Sequence, residues 1–193
     1  HPMIRTLRTL AAAGAAAALV VTATASPAAA KTRSFTDKRG DATSALDITK
    51  VKVTNKKSAV VVRLSVPGLR KSKVGGVMVG VRTKAKGRPE FVSMKMRMEG
   101  AGWMPLMLMD EDSEELTVAC KGDRVRFGKR SITVRLPQRC LGGNTKAVKV
   151  VAGVFGRDDS LFSEEEPKPG PDAQIDVYPS LTSERMSPWV RFR

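Results

Sequence analysis

The chain has 193 residues, with 34 Lys and Arg against 19 Asp and Glu and a formal net charge of +15. It therefore holds one domain of ordinary size and favours polyanionic partners: teichoic acids, acidic polysaccharide, anionic lipid or nucleic acid. Its one histidine is His1, which excludes Ser-His or Cys-His catalysis and imidazole metal sites from the body of the chain, and aromatics at 5% are too sparse for the stacking face of a nucleic-acid binder.

Met3 to Ala30 reads as a secretory signal peptide. Arg5 and Arg8 form the positive start, Leu10 to Ala25 is uncharged and Ala-rich, and Ala28, Ala29 and Ala30 offer small residues for cleavage after Ala30. His1 and Pro2 read as a remnant ahead of Met3. An uncleaved anchor is the rival reading, but alanine contributes little apolar transfer energy and a spanning helix needs roughly 20 strongly apolar residues. No Arg-Arg pair and no cysteine lies near the cut, so twin-arginine export and a lipid-anchored cysteine are not indicated. The expected division is 1–30 signal peptide and 31–193 mature domain, secreted and held at the cell wall, with no transmembrane span after cleavage. Without Arg5 and Arg8 the basic residues fall from 34 to 32 against 19 acidic ones, a net charge of +13.

Past Ala30 the hydrophobic period is two. The opening DKRGDATSALDI sets Asp37, Asp41 and Asp47 around a Gly40 turn, ahead of the first predicted strand. Such an oxygen-rich group suits calcium, or is a turn capped by its own amides; Lys38 and Arg39 in the turn count against a cation. Thr49, Val51 and Val53 alternate with Lys50 and Lys52, and Val60, Val62, Leu64 and Val66 follow as far as Pro67-Gly68. Val77, Val79 and Val81 make a third strand, closed by the polar turn Thr83 to Gly87. In SMKMRM, Met94, Met96 and Met98 are expected on one face, with Ser93, Lys95 and Arg97 on the other and the cations outward. Trp103 to Met109 begins the next strand, Trp103 reading as core before sugar-stacking platform. Arg124 to Phe127, the turn Gly128 to Ser131 and Ile132 to Leu136 form the clearest hairpin. Ala147 to Phe155 is a central apolar strand, Asp158 to Pro179 an exposed acidic, Pro-rich loop, and Trp189 to Arg193 a last short strand. The fold expected is all-β: a single antiparallel β-sandwich, jelly-roll or immunoglobulin-like, of about eight or nine strands. A closed barrel is the alternative.

Cys120 and Cys140 are the only cysteines, and an even count in an exported chain reads as a disulfide. Two thiols without histidine lack the partners of a metal site. The acids Asp110, Glu111, Asp112, Glu114, Glu115 and Glu164 to Glu166 crowd predicted turns, as solvated residues do, and form no facing pair of the glycosidase kind. With no histidine base for a nucleophile, and with a Ser-Lys pair formally open but singled out by no spacing, the domain reads as non-enzymatic.

The cations give the sharpest functional reading. Arg124, Arg126 and Arg135 project from one face of the hairpin, and Lys95 and Arg97 join them as outward residues. A sheet face lined this way binds phosphate or sulfate, arginine by bidentate hydrogen bonds. Outward charge is also what any solvated strand carries.

RGDATSALDITKVKVTNKKSAVVVRLSVPGL, with the later ITVRLPQRCLGGNTKAVKVVAGV, resembles a group of secreted actinobacterial β-sandwich proteins that are distantly similar to family 9 carbohydrate-binding modules. The resemblance covers most of residues 34 to 155. It implies a sandwich, a secreted location and a Cys120–Cys140 bridge, and it carries over no catalytic residues. The chain departs from the group at RTKAKGRPEF, Arg82 to Phe91, where an Asp-rich turn is expected, which weakens any calcium or sugar site there. The functional expectation is a non-enzymatic domain binding a polyanionic or carbohydrate ligand at the cell envelope. The alternatives are a domain that binds or inhibits another secreted protein through the 158–179 loop, and a hydrolase whose site is not legible.

Overall fold

The computed structural model describes residues 31–111, 116–118, 120–143, 146–157, 168–183 and 185–192; the predicted signal peptide lies outside them. Alternation of apolar and polar residues becomes thirteen strands among these residues. They are β1 Lys31–Thr36, β2 Lys50–Lys56, β3 Ala59–Ser65, β4 Val74–Thr83, β5 Glu90–Met98, β6 Gly102–Trp103, β7 Met107–Asp110, β8 Leu116–Val118, β9 Arg124–Phe127, β10 Ser131–Pro137, β11 Ala147–Gly156, β12 Ile175–Tyr178 and β13 Val190–Arg191. One turn of 3-10 helix, Gln138–Cys140, follows β10.

All the pairings are antiparallel and they make two sheets. A five-stranded sheet runs β1-β2-β3-β10-β9, and an eight-stranded sheet runs β12-β11-β4-β5-β7-β8 with β13 on β11 and β6 on β5. The chain is a β-sandwich; among the described residues no strand of one sheet pairs with a strand of the other, which excludes the closed barrel.

The valine-rich runs supply the interior. Val53, Val62 and Val134 lie side by side across three strands, as do Val51, Leu64 and Ile132. In the other sheet Val79 faces Ala152 and Val81 faces Val150. These inner faces close on each other as one buried cluster, each fully buried Val, Leu or Ile contributing about 1.5–3 kcal/mol. Buried Asn55 is satisfied at the seam: its Nδ2 donates to Val190 O at 3.0 Å, and its Oδ1 accepts from Gln138 Nε2 at 2.8 Å. Cys120 and Cys140 form a disulfide with their Cα atoms 6.1 Å apart, fixing the start of the β9–β10 hairpin to its end.

Three expectations change. A strand, β1, precedes the DKRGD turn and pairs with β2, so the turn lies in the connection between two neighbouring antiparallel strands rather than in an N-terminal approach. The expected 158–179 loop holds strand β12, in which Ile175, Asp176 and Tyr178 are buried; residues 158–167 lie outside the described ones. The Pro-rich surroundings concealed a strand of only four residues, whose pairing with β11 is tertiary.

The third change is the parity of β5. Phe91 and Ser93 face Val81 and Val79 and are buried at 6% and 1% exposure, so Lys95 and Arg97 continue the inner face. The methionines take the outer one. A one-residue slip exchanges every side chain between faces, and the apolar pair Phe91-Val92 left both parities open in the sequence. Lys95 is half-buried, and its Nζ donates to Met104 O at 2.8 Å. Trp103 packs against the core as expected, its ring 5.0 Å from that of Phe127.

Candidate functional site

Two groups of charged residues stand out. The first is the outer face of the five-stranded sheet. Lys52, Arg63, Thr133 and Arg126 make one row across β2, β3, β10 and β9. Two residues along, Thr54, Val61, Arg135 and Arg124 make the next. Rows lie about 7 Å apart and strands about 4.8 Å apart, so the cations form a flat grid. Lys52, Arg63, Arg124 and Arg126 are exposed and form no ion pair with a described residue. Arg135 Nη1 is steadied by Gly122 O at 2.8 Å.

None of the five strands contains Asp or Glu. Among the described residues the face has no aromatic ring either, since Phe35 and Phe127 pair with Val51 and Ile132 and share their inner side. Lys52 lies directly opposite Arg63, and Arg124 opposite Arg135. Like charges opposed across a ladder repel, and an anion laid over the face relieves both pairs. The structure thus unites Arg124, Arg126 and Arg135 as predicted. It adds Lys52 and Arg63, whose sheet position only the register gives, and separates Lys95 and Arg97, which sit on the inner side of the other sheet.

The second group is the predicted acidic turn, with a member the sequence did not reveal. Carboxylate oxygens of Asp41, Asp47 and Asp176 lie within 4.8 Å of one another, with Asp37 close enough to repel Asp176. Asp176 arrives from β12 on its core side, opposite Val154, and its Oδ2 accepts from Ile48 N at 2.5 Å. The turn is held against the 168–174 segment by Thr43 N donating to Ala173 O at 2.9 Å and Gly170 N to Asp41 O at 2.9 Å. Gly40 N donates to Asp47 Oδ1 at 3.2 Å. A glycine is required at Gly68, where a Cβ would overlap the Ser44 carbonyl of the same turn.

This cluster is electrostatically unfinished. Asp37 Oδ2 and Asp41 Oδ1 are buried without a hydrogen-bond partner. Burial, then repulsion from Asp41 and Asp47, pushes the Asp37 carboxyl up to about 6. Burial and then Asp37, Asp41 and Asp47 push Asp176 up to about 7, despite the Ile48 amide. Burial, followed by Asp37, also raises the Tyr178 hydroxyl to about 12. Lys38 lines the adjoining cleft of about 210 Å³ with Asp41 and Asp176, its backbone amide donates to Asp37 Oδ1 at 3.0 Å and offsets the Asp37 shift only in part, and Arg39 is exposed. Hard oxygen donors from two chain segments, two of their oxygens buried without partners, fit calcium. The signal for Asp176 was a lone acid among the apolar residues of IDVY, at an inward position.

Comparison with family models, with curated proteins and with solved structures found no match for this chain.

Proposed function

We propose that the protein is a secreted, non-enzymatic domain that binds a linear polyanion of the cell envelope across the outer face of its five-stranded sheet. One observation carries this reading: two like-charged cross-strand pairs, Lys52–Arg63 and Arg124–Arg135, stand on a face with no carboxylate in any of its strands. Solvation alone asks for charge of either sign outward, whereas a single sign in a grid suits an extended anion. The missing aromatics favour phosphate or sulfate groups over neutral sugar rings and over nucleobases, both of which need stacking. Threonine hydroxyls between the cations, Thr54 and Thr133, supply further donors.

A second reading concerns the carboxylate cluster alone. Calcium held by Asp37, Asp41, Asp47 and Asp176 would tie the β1–β2 connection to β12, and the partnerless buried oxygens favour it. This is a structural role and leaves the polyanion reading independent.

The test is retention on immobilised heparin and on polyphosphate. Wild type should be held at low salt and released by about 0.5 M, where exposed charges are screened. Arg63→Ser with Arg126→Ser should elute at distinctly lower salt, while Lys95→Ser with Arg97→Ser should elute as wild type does. Equal losses from both pairs would show that net charge, not the sheet face, does the binding, and a complex surviving 0.5 M salt with another secreted protein would favour the inhibitor class.

A further inference from the structure

Reversal of β5 leaves the outer face of the eight-stranded sheet lined with thioethers. Met78 on β4, Met94 on β5 and Met107 on β7 are direct neighbours in one row across three adjacent strands. Met96 continues the same face of β5, and Met109 that of β7. All five are half-buried, so their side chains remain reachable from solvent. Met96 leans over β4: its Cγ lies 3.8 Å from where a Cβ on Gly76 would sit, with the Phe155 ring on the other side of that glycine at 3.3 Å.

We propose that this row is a binding site for a soft monovalent metal ion, Cu(I), held by Met78, Met94 and Met107. Directly opposed residues in a sheet have Cβ atoms about 4.5–5.5 Å apart, and a methionine side chain has three rotatable bonds beyond that point. Three sulfurs in one row can therefore converge on a single ion. Thioethers are soft donors that select Cu(I) over zinc, calcium or magnesium. No thiolate or imidazole competes among the described residues: both cysteines are in the disulfide, and the chain's one histidine is His1. Three neutral sulfurs impose no charge of their own, so a monovalent cation suits them.

The local field agrees. In a chain of net charge +15 the outer positions of β5 carry no lysine or arginine, and those of β4 carry only Arg82, which is paired with Glu90 at 2.6 Å. A purely apolar face would be served as well by leucine, and leucine is absent from these outer positions; Leu108 of β7 points into the core.

The experiment uses the folded, disulfide-bonded protein under anaerobic conditions with ascorbate, titrated against Cu(I) held by bicinchoninate. Wild type should withdraw one equivalent of copper. The M78L/M94L/M107L variant, which keeps the apolar area and removes the sulfur, should bind at least ten-fold more weakly with an unchanged far-ultraviolet spectrum. Should that variant fail to fold, Ag(I) added to wild type labelled at its methionine methyls decides: resonances of Met78, Met94 and Met107 should shift together while Met186 stays in place. Copper left with the chelator by wild type, equal uptake by the leucine variant, or unshifted methyl resonances would each overturn the assignment.

Discussion

Asp176 is a buried acid that accepts from the Ile48 amide and lies among three other aspartates, so its protonation is linked to folding. Its carboxyl titrates at about 7 and that of Asp37 at about 6, against 3.8 for a free aspartate. Between the free and the folded values the folded chain binds more protons than the unfolded one, so stability falls as pH rises through that window. These two groups oppose folding least below about pH 4 and most above pH 7. In chelator, the melting temperature of wild type relative to Asp176→Asn should therefore decline from pH 4.5 to 8. Millimolar calcium should reverse that decline by binding only the folded state. A pH-independent difference between the two proteins, with or without calcium, would show that the four carboxylates do not act together. Asp37, Asp41 and Asp47 were legible because they share one short turn. Asp176 was not, since its hydrogen bond to Ile48 spans 128 residues.

At the scale of the element, β5 is the lesson. Apolar residues usually mark the inner face, and the strand's methionines pointed the wrong way because its outer face is apolar too. What decides the parity is Phe91 against Val81 and Ser93 against Val79, contacts that need β4 in place. Ser93→Lys should thus bury an unpaired charge and cost about 3 kcal/mol or more, whereas Met94→Lys should stay within about 1 kcal/mol, as read from urea denaturation. Equal costs would mean that the strand has slipped. The β9–β10 hairpin was the opposite case: a three-residue turn between clear alternations sets its register locally. Its disulfide closes a separation of 20 residues, and Cys120→Ser with Cys140→Ser should lower stability by about 3 kcal/mol.

Over the whole molecule, the two sheets carry different outer faces: the smaller has the cationic grid, the larger the thioether row, and the acidic cluster sits where the β1–β2 connection of one meets β12, an edge strand of the other. Because the grid lies on the outer face of the five-stranded sheet and Asp176 on the core side of β12, Arg63→Ser with Arg126→Ser should lower the salt needed for elution from heparin while leaving the calcium-induced rise in melting temperature unchanged. A change in both would indicate one coupled site. The sequence by itself determined the all-β class, the two-layered interior, the paired cysteines and the basic hairpin, since each depends on side-chain alternation or on residues close along the chain. Only the tertiary structure decided which strands are neighbours. That choice placed Lys52 and Arg63 beside the hairpin arginines, turned Lys95 and Arg97 inward and brought Asp176 to the acidic turn, because strand pairing joins residues that no local pattern connects.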